Sequence, residues 1–242
     1  MTISNDLQVD FLTEDEEERY KKHITLEEIG FEGQLKLKNS SVLCIGAGGL
    51  GSSVLLYLAA AGIGRIGIVD NDLVDKSNLQ RQIIHETNTV GSLKIDSARE
   101  RIKRFNPNIE VVTFNKRINS DNILEIIKDF NVICDCSDNF GTRYLINDAC
   151  LISKKPLVYG SVQGFEGQIS VFNLNENSPN LRDLIPESPS KNSVPSCEEF
   201  GVIGVSTGLI GVLQVNEIIK VVLKKGEILD GKFMVFNLLN MN

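Results

Sequence analysis

The sequence predicts a single doubly wound α/β domain with a mainly parallel sheet, and three observations carry that expectation. Short apolar, β-branched runs alternate with helical runs at the spacing of parallel βαβ units. The first of these strands runs directly into Gly46-Ala-Gly48-Gly49-Leu-Gly51, a glycine-rich join between strand and helix. Nothing in the 242 residues reads as a linker, a repeat or a low-complexity tract, and that length suits one domain. After Gly160 the rhythm changes, so an antiparallel extension is expected to follow the parallel part.

The elements justify themselves in order. Thr13 to Ile24 predicts a helix, with Thr13 as cap, Glu14, Asp15 and Glu16 in the first turn and Lys21 and Lys22 in the last. It opens an N-terminal helical segment, residues 13–37, ahead of a nucleotide-binding domain over residues 38–242. Ser41 to Ile45 reads as a buried strand and Leu50 to Ala61 as a helix closed by Gly62. Arg65 to Asp70 is the next strand, Lys94 to Phe105 an amphipathic helix stopped before Pro107, and Glu110 to Phe114 a strand. A helix over Asp121 to Asp129, capped by Ser120 or Asp121, leads to a strand at Val132 to Cys136. A helix at Thr142 to Ser153 and a strand at Leu157 to Gly160 complete the parallel part. Gln168 to Leu174 predicts a strand with alternating faces. Residues 175–199 are long and polar with four prolines, the composition of a functional or mobile loop. Ser206 to Leu223 is a long helix and Lys232 to Leu238 a final strand.

Composition narrows the class. A net charge of −7 argues against a general nucleic-acid binder, which needs a basic face. Met1 to Glu18 is acidic and lacks the apolar core of a signal peptide. The apolar stretch from Phe200 to Leu213 is shorter than the roughly 20 residues a membrane span takes. Five cysteines, an odd number with no Cys-x-x-Cys, argue against both a disulfide framework and a structural zinc site. A cytoplasmic protein is therefore expected. Cys44, Cys134 and Cys136 sit in apolar runs and read as buried thiols.

The chemistry concentrates in a few motifs. Glycines at Gly46, Gly48, Gly49 and Gly51 let backbone amides approach phosphate at a helix N-terminus. Asp70, about 20 residues further on, ends the next strand where a carboxylate can accept ribose hydroxyls. Taken alone, that pair points to a nucleotide, most naturally NAD. However, Asp70-Asn-Asp72 leads into Ser77-Asn78-Leu-Gln80-Arg81-Gln82, and Lys94 starts the following helix. One arginine, one lysine and the Asn78 and Gln80 carboxamides suit a triphosphate better than a dinucleotide. Asp135-Cys-Ser-Asp138-Asn139 falls at the carboxyl end of the fourth strand, where doubly wound sheets bind ligands. Asp138 there either holds Mg²⁺ against phosphates or caps the next helix.

In this order the pieces resemble the MoeB/ThiF/HesA adenylyltransferases, relatives of the ubiquitin-activating enzymes. The resemblance runs from Arg19-Tyr20-Lys-Lys22-His23 through Val90-Gly-Ser-Leu-Lys94 and Glu166-Gly-Gln168 to Ser196-Cys197-Glu-Glu-Phe-Gly201-Val. It implies a Rossmann-like fold and a homodimer that uses ATP and Mg²⁺. The implied substrate is the C-terminal Gly-Gly carboxylate of a small ubiquitin-like, β-grasp sulfur carrier, adenylylated with release of pyrophosphate. By position, Gly49 would pack on the phosphates, Asp70 on the ribose, and Asn78, Arg81 and Lys94 on the triphosphate, with Asp138 on Mg²⁺. Asp72 and Asn139 belong to the same motifs. Lys22 stands where the family usually has the arginine that reaches a neighbouring subunit's phosphates, and it lacks that group's two-pronged grip. Cys197 matches a cysteine that in some members joins the activated carrier or a persulfide, although Glu198 and Glu199 beside it should depress its thiolate fraction. The family's paired Cys-x-x-Cys zinc motif is missing, with Pro179-Asn180-Leu-Arg-Asp183 at the first position, so no zinc is expected. The sequence also leaves two other readings open: a scaffold of the same fold that binds ATP or a carrier without catalysis, and an NAD-linked oxidoreductase. Carrier docking is expected on the strand Gln168–Phe172 and the loop 175–199.

Overall fold

The computed structural model describes residues 11–187 and 201–241. In chain order the helices are α1 (Glu14–Arg19), α2 (Lys21–Ile24), α3 (Gly30–Lys38), α4 (Gly49–Ala61), α5 (Lys94–Phe105), α6 (Ile123–Ile127), α7 (Phe140–Ile152), α8 (Leu181–Leu184) and α9 (Gly204–Leu223). The strands are β1 (Ser41–Ile45), β2 (Arg65–Val69), β3 (Glu110–Phe114), β4 (Val132–Asp135), β5 (Leu157–Gln163), β6 (Glu166–Phe172) and β7 (Met234–Asn237). They form one sheet in the order β3-β2-β1-β4-β5-β6-β7. The first five strands are parallel, and β6 and β7 are antiparallel to their neighbours. This is the mainly parallel sheet with an antiparallel extension that the sequence predicts.

The order places the site. From β1 the chain steps outward to β2 and β3, then returns to β4 on the other side of β1. The reversal leaves a crevice outside the carboxyl ends of β1 and β4, where ligands bind in such sheets. Every residue of β1 is buried, as a central parallel strand requires, because apolar layers cover both faces. On one face Val54, Leu58, Ile66, Ile102, Ile169, Ile210 and Ile218 pack between the sheet and α4, α5 and α9. On the other, Leu43, Phe130, Ile133, Ile146, Tyr159 and Phe172 pack beneath α6 and α7. By length and composition α9 is apolar enough to cross a bilayer. Its buried Ile210, Val215 and Ile218 belong to the core shared with α4 and the sheet, as in the core helix of a globular domain.

Several boundaries move for identifiable reasons. The predicted helix at 13–24 breaks at Tyr20, whose buried ring turns inward and whose hydroxyl accepts a hydrogen bond from Asn106 at 2.8 Å. Thr13 and Glu16 form the capping box at its start. Leu37, near the end of α3, is fully buried in the larger core, so the N-terminal segment packs as part of the domain. The helix expected at 121–129 shortens to α6 with Asn122 at its cap, because the Asn119 carboxamide takes the Asp121 and Asn122 amides in a turn just ahead. β5 runs on past Gly160 to Gln163 and pairs with β6 as a hairpin. Within the expected loop 175–199, Asn180 and Asp183 form a capping box for the single turn α8, and Arg182 pairs with Asp148 of α7 at 2.7 Å.

Candidate functional site

An open cleft of about 1040 Å³ lies over the carboxyl ends of β1, β2 and β4. Its first wall is the glycine loop. Gly46 holds a φ of +106°, a left-handed conformation that favours glycine, and a side chain there would meet the Cys136 carbonyl at 2.7 Å. A Cβ on Gly51 would lie 2.0 Å from the Gly46 carbonyl, so Gly51 serves the turn and is buried behind it. Gly48 and Gly49 line the cleft, and α4 begins there with no side-chain cap. Its first amides are therefore open to an anion, and the helix dipole favours negative charge at that point.

Asp70 braces this loop. Its Oδ2 accepts the Ala47 amide and its Oδ1 the Asp72 amide, each at 2.8 Å, which leaves a lone pair on each oxygen for a ligand hydroxyl. The second wall carries the cations. Asn78 Oδ1 accepts from Arg81 Nη2 at 2.7 Å and from Gln82 Nε2 at 3.2 Å. Lys94 is 7% exposed, and its Nζ pairs with Asp72 Oδ2 at 2.8 Å. Lys116 and Arg117, just past β3, also line the cleft.

At the carboxyl end of β4 the helix cap is Asn139, whose Oδ1 accepts the Thr142 amide at 2.9 Å. Asp138, the capping alternative from sequence, is exposed on the cleft wall with only Asn139 Nδ2 against it, at 3.2 Å. Beneath it Asp135 is fully buried. Its Oδ1 accepts from the Ser137 amide at 2.9 Å and hydroxyl at 2.6 Å, and its Oδ2 has no partner. Burial pushes the Asp135 carboxyl above its ordinary range, against the pull of the nearby Arg143 guanidinium. Arg143, itself buried, donates to Ser161 at 2.7 Å, Tyr159 at 3.1 Å and the Ser137 carbonyl at 3.3 Å, and faces the cleft.

Of the residues singled out from sequence, Gly46, Gly48, Gly49, Asp70, Asp72, Asn78, Arg81, Lys94, Asp138 and Asn139 come together on the cleft wall. Gln80 does not: its carbonyl backs onto Gly204 at the start of α9, and Gln82 takes the inward position. Lys22 is exposed on α2, whose neighbour His23 bonds Gln34, which in turn holds the Ala61 carbonyl at the far end of α4. That end lies about 18 Å along the helix axis from Gly49. Cys197 lies outside the described residues. Cys44, Cys134 and Cys136 are buried thiols in mutual contact, with Sγ–Sγ separations of 3.3 and 3.7 Å, and burial holds Cys134 and Cys136 well above the ordinary thiol range. Sequence does not single out Arg143 and Thr207, each a polar residue within a helix, or Lys116-Arg117, a basic pair in a connection with no glycine or capping motif beside it. One signal was available for Arg143: it sits in the first turn of the helix that follows the Asp138-Asn139 motif.

The model of the ThiF family matches residues 20–242. The chain belongs to the ThiF family. It is 47% identical over 226 residues to the adenylyltransferase and sulfurtransferase MOCS3 of Culex quinquefasciatus, covering 93% of this chain and 51% of that protein. Against the probable molybdopterin-synthase adenylyltransferase of Porphyra purpurea it is 46% identical over 225 residues, covering 93% and 59%. A probable adenylyltransferase/sulfurtransferase MoeZ of Mycobacterium tuberculosis is 47% identical over 236 residues, covering 96% and 60%. This ThiF-family chain thus spans between about half and three fifths of the length of these curated relatives. Among solved structures, PaaA superposes with a TM-score of 0.82 at 22% identity, covering all of this chain and 76% of that one. Escherichia coli MccB with ATP superposes at 0.77 with 19% identity, covering 96% and 77%. At those identities the likeness concerns the fold.

Proposed function

We propose that this ThiF-family chain catalyses ATP-dependent adenylylation of the C-terminal glycine carboxylate of a small β-grasp sulfur carrier ending in Gly-Gly. One observation carries the reading: an uncapped helix N-terminus, a braced ribose-accepting carboxylate, two cations and an exposed carboxylate converge on one cleft. The names of the relatives, adenylyltransferases and a molybdopterin-synthase adenylyltransferase among them, favour a carrier of the molybdopterin type over one of the thiamine type. An NAD-linked reading gives Arg81 and Lys94 no work.

The chemistry asks for charge control more than proton transfer. The carrier carboxylate is already ionised at neutral pH, so no general base is needed. Its oxygen attacks the α-phosphorus, the bond to the β-phosphate oxygen breaks, and carrier-CO-O-AMP and pyrophosphate result. Arg81 and Lys94 would neutralise the anions as they approach and separate, and the α4 amides would orient the phosphates. Asp70 would fix the ribose. The exposed Asp138 oxygens suit a hard cation, and Mg²⁺ bound there would supply charge neutralisation for the leaving pyrophosphate. Among the described residues no cluster of three or more His, Cys, Asp or Glu has metal-binding geometry, and we propose that the protein works without zinc.

Of the surface expected to receive the carrier, residues 188–199 of the loop lie outside the described residues, and the strand is accounted for by its packing. β6 lies between β5 and β7 and most of its residues are buried, so the strand expected to receive the carrier is covered. Met234 and Val235 of β7, with Leu239 and Phe165, are exposed instead and support docking at that end of the sheet. Lys22, remote from its own cleft, would serve the cleft of a second copy, which supports a homodimer. Four described cysteines are free thiols, in keeping with a reducing cytoplasm. Cys197 would act after the adenylate, so Cys197→Ser should keep exchange activity and lose any thiol-sensitive carrier adduct.

ATP–pyrophosphate exchange tests the reading. Exchange that appears only when a Gly-Gly-ending β-grasp protein is added supports it. ATP binding without exchange, across every such carrier and magnesium level, would leave the scaffold reading in its place.

A further inference from the structure

We infer that His85 is a positioning residue that bolts the glycine loop to the helix carrying Lys94, and so sets the spacing of the two phosphate-binding walls. The inference deepens the adenylylation reading and rests on it for its kinetic arm. His85 is 5% exposed and does not line the cleft, but both its ring nitrogens are engaged. Nε2 lies 2.9 Å from the Ala47 carbonyl, in the middle of the glycine loop. Nδ1 lies 2.9 Å from Ser97 Oγ, on α5, three residues after Lys94.

The chemistry of the partners assigns the tautomer. A peptide carbonyl only accepts, so the proton sits on Nε2. Nδ1 of the neutral ring then accepts, so the Ser97 hydroxyl, which also lies 3.1 Å from Thr89 Oγ1, turns its single proton to the ring. Burial lowers the ring's pKa and outweighs the hydrogen bond to the Ala47 carbonyl, which raises it; the Lys94 ammonium adds to burial and the Asp70 carboxylate opposes it. The two peptide groups that flank the Ala47 Cα are thereby both held, the N–H of the first by Asp70 and the C=O of the second by His85. Asp70 ties this stretch of the loop to the end of β2, and His85 ties it to α5. Phosphates bridging the α4 amides and Lys94 depend on the distance between those two elements, and this imidazole spans it.

Two substitutions separate the bolt from simple space-filling. In His85→Asn the carboxamide reaches the Nδ1 position, keeping Ser97 and losing the donor to Ala47. In His85→Gln the longer side chain carries an N–H at about the Nε2 position. Amide hydrogen exchange of residues 46–52 in the ligand-free protein reads the loop directly, and exchange kinetics with ATP read its consequence. We expect His85→Asn to speed loop exchange, with β5 amides unchanged, and to lower kcat about tenfold or more while KM for ATP moves less than threefold. His85→Gln should restore both readouts to within threefold. Unaltered loop exchange in His85→Asn, or equal impairment in Asn and Gln variants, would overturn the role. An unmodified protein without adenylylation activity would sink the reading of function, and the loop-exchange arm would still decide whether His85 locks the loop.

Discussion

Along the glycine wall of the cleft, backbone groups are held by other parts of the chain before any ligand arrives. Gly46 donates to the Val69 carbonyl, Ala47 to Asp70, and the Ala47 carbonyl accepts from His85. Across the cleft two of the cations rest on side chains: Arg81 on the Asn78 carboxamide and Lys94 on the exposed Asp72 carboxylate. The difference is one of exchangeability. Backbone dipoles already fixed by hydrogen bonds within the fold need no reorganisation when charge develops against them. Cations resting on an amide or a half-solvated carboxylate can trade that partner for a phosphate oxygen. One wall sets geometry, and the other supplies movable charge.

The largest effect expected from breaking this contrast is at Arg81. Arg81→Ala removes a movable charge and a single side-chain contact, so it should cost about 3–4 kcal/mol of transition-state stabilisation, or 10²–10³ in rate. Its Tm should stay at that of the unmodified protein, and pyrophosphate exchange beside thermal unfolding checks both. Gly51→Ala should behave in the opposite way. The new methyl would meet a backbone oxygen, so stability should fall by roughly 2–3 kcal/mol and nucleotide binding with it, as thermal unfolding and calorimetry would show.

A smaller change is expected at Asp138. Asp138→Asn should shift the magnesium titration to higher concentration and lower kcat about tenfold, with ATP affinity less affected, because an amide accepts hydrogen bonds but offers no charge. Identical magnesium curves would refute the metal role. The smallest effect concerns pH. The folded pKa of His85 is below its ordinary 6.5, so the unfolded chain binds the extra proton first. Stability should therefore fall as pH drops from about 6.5 towards the lower folded value, and denaturant titrations of His85→Gln should lose that component.

Much of the cleft was legible because its residues come in short runs at strand ends. Gly46–Gly51, Asp70–Asp72, Asn78–Arg81 and Asp138–Asn139 each announce a turn chemistry, and the sheet order brings those turns to one edge. Arg143 and His85 were not legible, because their meaning depends on partners far along the chain or on another element: Ser161 for one, Ala47 and Ser97 for the other. The burial of β6 was hidden in the sequence for a related reason. β6 has the alternating, apolar pattern of an accessible strand, and its burial comes from packing on both faces: Ile169 and Val171 share the core with Ile210 and Ile218 of α9, and Phe172 packs against Tyr159. Asp138 and Asn139 show the limit at single-residue scale. Either can cap a helix, and the backbone decides that Asn139 does.

The most direct measurement is the intact mass of the carrier after incubation with this protein, ATP and Mg²⁺. The account predicts a species heavier than the free carrier by one adenylyl group, present only when the carrier ends in its Gly-Gly carboxylate and absent with Arg81→Ala. A carrier whose mass never changes, although the protein binds ATP and the carrier together, would contradict it.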